Sequence, residues 1–171
     1  MEWPVGQPVT KRRVLNAAEA ASNGFELELA AKPLPGFNVF AGFGYTEGKF
    51  GNWVAKRPDG GSFDYDGKYL PNAPKYTFHV GAQYRLQNGI FMRVDLLGTG
   101  DYYYDSENLK EIEGYATFNL RFGYEQEDYD IILWANNLFD ERYLVSKVEF
   151  MGELVQDGLP RTVGLALRYR F

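Results

Sequence analysis

The feature that most constrains this chain is a period of two in its hydrophobicity, sustained over long segments. Between residues 76 and 86, apolar side chains occupy alternate positions, and the residues between them are Thr77, His79, Gly81, Gln83 and Arg85. Side chains alternate between the two faces of a β-strand, whereas an amphipathic helix repeats about every 3.6 residues. The alternation therefore predicts strands with one apolar and one polar face, and almost no helix.

The same alternation recurs along the chain, between residues that favour turns. The predicted strands are residues 16–31, 37–49, 76–86, 90–104, 116–124, 129–139 and 162–171. Proline and glycine interrupt the pattern at 33–36, and Asn88-Gly89 is a hairpin signal. Short connections alternate with long ones, the short at 32–36, 87–89 and 125–128 and the long at 50–74, 105–114 and 140–160. The sequence thus predicts an all-β, antiparallel arrangement of about seven strands.

Strand length and loop asymmetry together favour a transmembrane β-barrel. A tilted membrane strand needs roughly 9 to 11 residues, whereas strands of globular proteins usually have about 5 to 6. Outer-membrane barrels have short periplasmic turns, long extracellular loops and aromatic girdles, and 17% of this chain is aromatic, concentrated at strand ends. Alternation alone does not say whether the apolar face meets lipid or a core. A small soluble ligand-binding barrel of the lipocalin type and a small outer-membrane barrel with a structural role therefore stay open as alternatives.

Charge and composition argue against several other classes of function. The net charge is −5 and the densest basic cluster is Lys11-Arg12-Arg13, which argues against nucleic-acid binding. With no cysteine the chain has no thiol nucleophile, and with a single histidine, His79, it has few ways to build a Ser-His-Asp triad or a His-rich metal site. The longest apolar run, Ile131 to Ala135, is far short of the roughly 20 residues of a membrane helix. We expect no enzyme activity, no metal and no cofactor.

Several short motifs along the chain carry a family resemblance. They are Gly24-Phe25-Glu26-Leu27-Glu28 with Pro33-Leu34-Pro35-Gly36, Leu70-Pro71-Asn72-Ala73-Pro74-Lys75-Tyr76, Asn137-Leu138-Phe139-Asp140 followed by Tyr143, and the ending from Gly158-Leu159-Pro160-Arg161-Thr162 to Phe171. Each motif is short. Taken together and in this order, they resemble the C-terminal strands and turns of TonB-dependent outer-membrane receptors, and the resemblance extends over nearly the whole chain.

This resemblance implies a receptor in the outer membrane of a Gram-negative cell. In that family a barrel, usually of about 22 strands, closes around a globular plug, binds a scarce nutrient outside and imports it with force transmitted through TonB. The nutrient is most often an iron-siderophore complex, although vitamin and glycan importers share these motifs. We interpret residues 1–13 as an N-terminal loop or extension and 14–171 as the C-terminal part of a multi-pass barrel, with no plug domain and no secretory signal. The plug, the remaining strands and the contact with TonB are then expected outside this chain.

Three sets of residues are candidate functional sites under this interpretation. Aromatic residues of the long loops are candidate nutrient contacts, or else girdle and packing residues: Trp53, Phe63, Tyr65, Tyr102, Tyr103 and Tyr104. Charged residues expected in the lumen are candidate plug contacts, or else solvated charges: Arg85, Arg93, Asp95, Asp101, Arg121, Arg168 and Arg170. The last strand resembles a signal that the outer-membrane barrel assembly machinery reads by strand addition, although the same residues are also expected to face lipid: Val163, Leu165, Leu167, Tyr169 and Phe171.

Overall fold

The computed structural model describes residues 19–56, 60–149 and 153–171, and these form strands, turns and loops. The strands, in chain order, are β1 (Ala20–Leu34), β2 (Phe37–Phe50), β3 (Val54–Lys56), β4 (Ser62–Asp64), β5 (Tyr76–Arg85), β6 (Ile90–Thr99), β7 (Tyr102–Tyr103), β8 (Glu111–Ile112), β9 (Tyr115–Glu125), β10 (Tyr129–Asn136), β11 (Leu144–Glu149), β12 (Glu153–Asp157) and β13 (Thr162–Tyr169). In these ranges no helix is long and apolar enough to cross a membrane. The predicted extension at 1–13 and the beginning of the first predicted strand lie outside the described residues.

Seven of the strands form one antiparallel sheet, in the order β1, β2, β5, β6, β9, β10, β13, which confirms the predicted fold class. Its two longest members, β1 and β2, have 15 and 14 residues. Such lengths exceed the roughly 9 to 11 residues that a tilted strand needs to cross a bilayer. Within the described ranges β1 and β13 each pair with a single neighbour, so the sheet has two free edges and is not closed into a barrel.

The long connections differ from the prediction, since each contains a two-stranded hairpin of its own. The hairpins are β3–β4 in the first long loop, β7–β8 in the second and β11–β12 in the third. Their strands have only two to six residues, too few to show a period in the sequence. β10 is also shorter than predicted and ends at Asn136, because Asn137 has a φ of 50°, which an extended strand does not admit.

The short turns form as the sequence predicts. In the β5–β6 turn Gly89 has a φ of 90°, and the side-chain oxygen of Asn88 accepts a hydrogen bond from the Ile90 amide at 3.2 Å. Glycine adopts this φ without steric cost, which explains the Asn-Gly pair. β13 ends beside the start of β10, where Tyr169 pairs with Tyr129. The last residues of the chain therefore lie at the short-turn end of the sheet, and the three long loops lie at the other end.

The register divides the sheet into an apolar face and a polar face. Directly opposed residues share a face, and one apolar row consists of Leu29, Ala41, Val80, Leu96 and Phe118. The apolar face is open to its surroundings, since Leu27 is 62% and Leu165 is 57% exposed. The polar face instead holds the buried side chains of Phe91 and Asp130. A soluble protein buries its apolar face, so this arrangement favours a barrel wall whose outside meets lipid.

Candidate functional site

The polar face gathers three of the predicted lumenal arginines around one cavity. Arg85 at the end of β5, Arg93 on β6 and Arg121 on β9 line a cavity of about 410 Å³, together with Trp134. The register brings two of them side by side, because Arg93 lies directly opposite Arg121. Alternation in the sequence placed these arginines on one face, and the structure adds that they share a cavity.

Two of these guanidinium groups are held by carboxylates of the same face. Arg85 donates to Glu125 at 2.5 Å, and its guanidinium lies 4.9 Å from the centre of the Phe91 ring. Arg93 donates to the two oxygens of Asp95 from two nitrogens, at 2.9 and 2.8 Å. Two-point contacts of this kind fix the plane of the guanidinium group. Sequence analysis identified Asp95 but missed Glu125, because that residue borders a turn where the alternation ends.

At the short-turn end both arginines of the last strand bind one buried carboxylate, which the sequence did not mark as a candidate plug contact. Asp130 on β10 is 2% exposed. Its Oδ2 accepts from Arg170 at 2.5 Å and from Arg168 at 3.3 Å. Arg170 also donates to the backbone oxygens of Gln126 and Glu127 in the β9–β10 turn, at 3.0 and 3.1 Å. The alternation put Asp130 on the polar face, but only the register places it opposite Arg168.

The remaining charged residues of the predicted set are placed differently. Arg121 has no hydrogen-bond or ion-pair partner among the described residues. Asp101 accepts a hydrogen bond from the Gly114 amide at 2.6 Å, at the base of the second long loop. Across the ranges that the structure describes, no group of three or more His, Cys, Asp or Glu residues could hold a metal ion.

Three of the predicted loop aromatics pack together in the first long loop, with Tyr65 stacked on Trp53 and tilted against Phe63. The ring of Tyr65 lies 4.2 Å from that of Trp53 and 4.7 Å from that of Phe63, measured between centres. Phe50, the last residue of β2, lies 4.9 Å from Trp53 and extends the cluster towards the sheet. The β3–β4 hairpin carries this arrangement, because it folds Phe63 back opposite Ala55.

The three consecutive tyrosines of the second long loop have separate partners. The hydroxyl of Tyr102 donates to a backbone oxygen of β11 at 3.0 Å, and burial raises the pKa of this phenol. Tyr103 stacks on Tyr69 of the first loop, with ring centres 6.1 Å apart. The hydroxyl of Tyr104 donates to Glu153 of the third loop at 3.4 Å. The second loop thus connects the first loop with the third.

The motif at 137–143 forms a hydrogen-bonded cap, here called the Asn137 cap, where β10 enters the third loop. Asn137 is 4% exposed. Its amide nitrogen donates to the backbone oxygens of Glu141 and Leu159 at 2.9 and 3.0 Å, and its amide oxygen accepts from the Glu141 backbone at 2.8 Å. Its own backbone amide donates to Asn119 of β9 at 2.9 Å. One residue therefore joins β9, the start of the loop and the segment that leads into β13.

Asp140 adds a charged contact to the Asn137 cap. Its carboxylate accepts from the Arg161 backbone amide at 2.8 Å and from the Arg142 side chain at 2.9 Å. The hydrogen bond from Arg161 is the main cause that lowers the pKa of Asp140 below its usual value, and the charges of Arg142 and Arg161 act in the same direction. The carboxylate thus fastens both sides of the third loop.

The apolar members of the motif pack the same corner. The backbone amide of Leu138 donates to the backbone oxygen of Phe118 at 2.7 Å. The ring of Phe139 lies 5.4 Å from that of Phe118, on the apolar face. Tyr143 stacks on Tyr115 with ring centres 3.8 Å apart. Each residue of the motif therefore has an identifiable contact that holds the third loop to the end of the sheet.

The residues of the candidate assembly signal form an exposed apolar row on the last strand. Val163, Leu167 and Tyr169 are each about 70% exposed, and Phe171 is fully exposed. Leu165 lies in the same row. Within the described ranges, β13 is an edge strand of the sheet. Strand addition uses the unpaired backbone groups that such a free edge presents.

This combination of antiparallel strands, short turns and long loops has a match among known protein families. The family model of the TonB dependent receptor-like beta-barrel matches residues 4–138. The chain belongs to this family. A TonB-dependent receptor barrel accounts for the outward apolar face, the polar inner face and the difference between the two ends of the sheet.

Two curated relatives of this TonB-dependent receptor barrel are named as ferric-pyoverdine receptors. The ferric-pyoverdine 358 receptor of Pseudomonas putida is 29% identical over 175 residues, which cover 93% of this chain and 18% of the relative. The ferric-pyoverdine M114 receptor PbuA of Pseudomonas sp. (strain M114) is 29% identical over 137 residues, which cover 75% of this chain and 16% of the relative. The chain thus spans less than a fifth of the length of either relative.

Solved structures of similar fold are also receptors. The ferric yersiniabactin uptake receptor FyuA from Yersinia pestis has a TM-score of 0.75 and 25% identity, over 89% of this chain and 24% of that one. The siderophore receptor PiuA from Acinetobacter baumannii has the same TM-score at 24% identity, over 88% of this chain and 22% of that one. The ferripyoverdine receptor of the outer membrane of Pseudomonas aeruginosa has a TM-score of 0.66 at 18% identity, over 88% of this chain and 19% of that one. All three are named as receptors, and none as an enzyme.

Proposed function

We propose that this barrel wall belongs to a receptor that imports an iron-siderophore complex across the outer membrane of a Gram-negative cell. The observation that carries the proposal is membership of the TonB-dependent receptor family, joined to a sheet whose apolar face is exposed. The relatives' names supply the class of cargo, since they mention pyoverdine and yersiniabactin. In this proposal, transport is driven through TonB, which engages a part of the receptor outside this chain.

We assign the loop aromatics to siderophore binding. The proposal is supported by the packed rings of Trp53, Phe63 and Tyr65, which offer aromatic surface at the long-loop end. Tyr102, Tyr103 and Tyr104 connect this surface to the third loop, so they position the loops around the cargo. Aromatic faces suit planar ligand groups because offset stacking adds to the burial of apolar area.

The charged residues of the polar face are assigned to the lumen, where the plug is expected to dock. Arg85, Arg93 and Arg121 surround one cavity there, and Asp95 holds Arg93 in place. A guanidinium group recognises carboxylates and backbone oxygens with two parallel hydrogen bonds, which gives both strength and orientation. Arg168 and Arg170 contribute through Asp130 at the short-turn end, and Asp101 contributes at the loop end.

The last strand is assigned to assembly. Its apolar row ends in Phe171, at the short-turn end and on a free edge. In the proposal the outer-membrane barrel assembly machinery pairs with this edge, while the apolar row is destined for lipid. A shortened receptor that lacks Phe171 is expected to reach the outer membrane in smaller amounts, and undiminished insertion would remove the signal role.

Uptake of radiolabelled ferric pyoverdine by iron-starved cells tests the proposed function. Cells that carry the receptor are expected to accumulate iron only when TonB is present, and cells that lack the receptor are expected to accumulate little. Trp53→Ala is expected to weaken pyoverdine binding, whereas Val80→Ala, on the apolar row of β5, is the control with normal binding. Equal uptake with and without the receptor, at normal amounts in the membrane, contradicts the proposal.

A further inference from the structure

We infer that Arg121 is the point at which the polar face binds a carboxylate that belongs to no strand of this sheet. The inference rests on the proposed function in one respect only, since it takes the polar face to be the inside of a barrel. It selects one residue of the charged set and names the chemistry of its partner.

Arg121 differs from the other arginines of the set in having no partner of its own. The others are paired within the sheet, Arg85 with Glu125, Arg93 with Asp95, and Arg168 and Arg170 with Asp130. Arg121 has no hydrogen-bond or ion-pair partner among the described residues, although it lies on the same face. A guanidinium group carries five N–H donors and stays charged at any physiological pH, so this one has its full donor capacity unused.

The cross-strand neighbours of Arg121 offer it no acceptor. On β6 it lies directly opposite Arg93, and like charges in opposed positions destabilise a sheet. On β10 it lies directly opposite Trp134, whose indole N–H is a donor only. The charge of Arg93 is already balanced by Asp95. One uncompensated positive charge therefore remains at Arg121, held between a cation and an aromatic ring.

The cavity in front of Arg121 has room for a ligand group. Its volume of about 410 Å³ is within the roughly 300 to 1,000 Å³ of small-ligand sites. Gln83 and Asn136 line it with amide groups. A single uncompensated charge matches a carboxylate, which carries one negative charge, better than a phosphate group, which carries about −1.5 to −2. Two oxygens in one plane also fit the guanidinium group with two parallel hydrogen bonds.

Carbodiimide coupling in the receptor as cells make it tests the inference. In the variant Arg121→Lys, the lysine amine takes the place of the guanidinium group, and the carbodiimide activates a carboxylate in contact with it. The amine attacks the activated carbonyl, an amide bond forms, and the carbodiimide leaves as its urea. Mass spectrometry of the digested receptor then identifies the group attached to residue 121, either a peptide of the polypeptide or a small carboxylic acid carried into the lumen.

Thr117→Lys is the matched control, because Thr117 lies on the same strand and the same face, opposite Leu97. In Arg121→Lys we expect an amide product at residue 121, formed with a carboxylate from outside the sheet. In Thr117→Lys we expect no such product at residue 117. A peptide product and a small-acid product both support the inference and distinguish the source of the carboxylate. Coupling to Asp95 or Glu125, or no coupling with the receptor at normal amounts in the membrane, overturns it. Ferric-pyoverdine uptake by the unmodified receptor is measured separately, so failure of the proposed function and failure of this inference give different results.

Discussion

The two ends of the sheet are fastened by different kinds of interaction. At the short-turn end, charged groups hold the strands, with Arg168 and Arg170 on Asp130 and Arg85 on Glu125. At the long-loop end, the Asn137 cap holds them mainly through neutral amide hydrogen bonds. Charge pairs whose arginines reach water, such as those of Arg168 and Arg170 with the buried Asp130, are weakened by salt, whereas neutral hydrogen bonds are not. The stability of the short-turn end is therefore expected to depend on salt concentration, and that of the long-loop end is not.

The difference follows from what each end must connect. Short turns bring strands together in register, so long side chains on the polar face reach one another across adjacent strands. Long loops leave the sheet, so their segments have to be joined through backbone groups. The Asn137 side chain does this by binding the backbone oxygens of Glu141 and Leu159. A side-chain amide has both donors and an acceptor, which suits it to backbone groups in a way that a charged side chain does not.

The largest effect is expected for Asn137→Ala, which removes the centre of the Asn137 cap. The substitution removes a buried side chain and its three hydrogen bonds to the backbone groups of Glu141 and Leu159. It also places alanine at a φ of 50°. We expect a loss of about 2 to 4 kcal/mol in the free energy of unfolding, measured by urea titration in detergent micelles, and faster amide exchange at Glu141.

Asn137→Gly separates the two causes, because glycine accepts the positive φ but makes none of the side-chain bonds. It is expected to recover about 1 kcal/mol, and no more, of the unfolding free energy that Asn137→Ala loses. If glycine restored the full stability of the parent, the side-chain hydrogen bonds of Asn137 would contribute nothing. The contrast between charge pairs at one end and amide hydrogen bonds at the other would then be wrong.

A smaller effect is expected at the short-turn end for Asp130→Asn. Asparagine keeps the shape of the side chain and still accepts from the two arginines, but it removes the charge. Because Arg168 and Arg170 are 69% and 47% exposed, water screens the pair, and we expect a loss of about 1 to 2 kcal/mol in the same urea titration.

Salt concentration then distinguishes the ends. The Debye length falls from about 30 Å at 0.01 M salt to about 3 Å at 1 M. The difference in unfolding free energy between the parent and Asp130→Asn is therefore expected to shrink as salt rises, while the difference for Asn137→Ala stays constant. A salt-independent Asp130 difference would mean that hydrogen bonds, rather than charge, hold both ends.

The sheet was largely predictable from the sequence, and the loop hairpins were not. A run such as 76–86 shows its period because every second side chain meets the same environment over its whole length. The hairpin strand β7 has only two residues, and its place depends on contacts with other loops. Short strands of this kind follow from tertiary contacts, which a local pattern does not contain.

The candidate site was predictable in its residue types but not in its pairs. Alternation put the arginines on the polar face, whereas the partners of each depended on a register that sequence periodicity leaves open. The motif at the end of the chain shows the same limit at Gly158, which lies so close to the Tyr143 ring that a Cβ atom would collide with it. The resemblance to a family located this glycine, but only the fold explains why it lacks a side chain.

The smallest predicted effect concerns acid and the one charged contact of the Asn137 cap. The pKa of Asp140 is lowered in the folded state, first by the hydrogen bond from Arg161 and then by the charges of Arg142 and Arg161. A lowered pKa means that the carboxylate stabilises the fold above its unfolded pKa, and that this contribution is lost as the pH falls through the folded value. The unfolded value is near 3.8.

We therefore expect the parent to have a higher Tm than Asp140→Asn near neutral pH, and the two values to converge below about pH 3. The other acidic groups are present in both proteins, so their contributions cancel in the difference. Asp105→Asn, in the second long loop, is the control at the same end of the sheet, because Asp105 binds backbone amides of its own loop and not Arg161. In acid neither the parent nor Asp140→Asn carries a negative charge at residue 140. A Tm difference that persists there would therefore show that the asparagine amide group itself disturbs the cap.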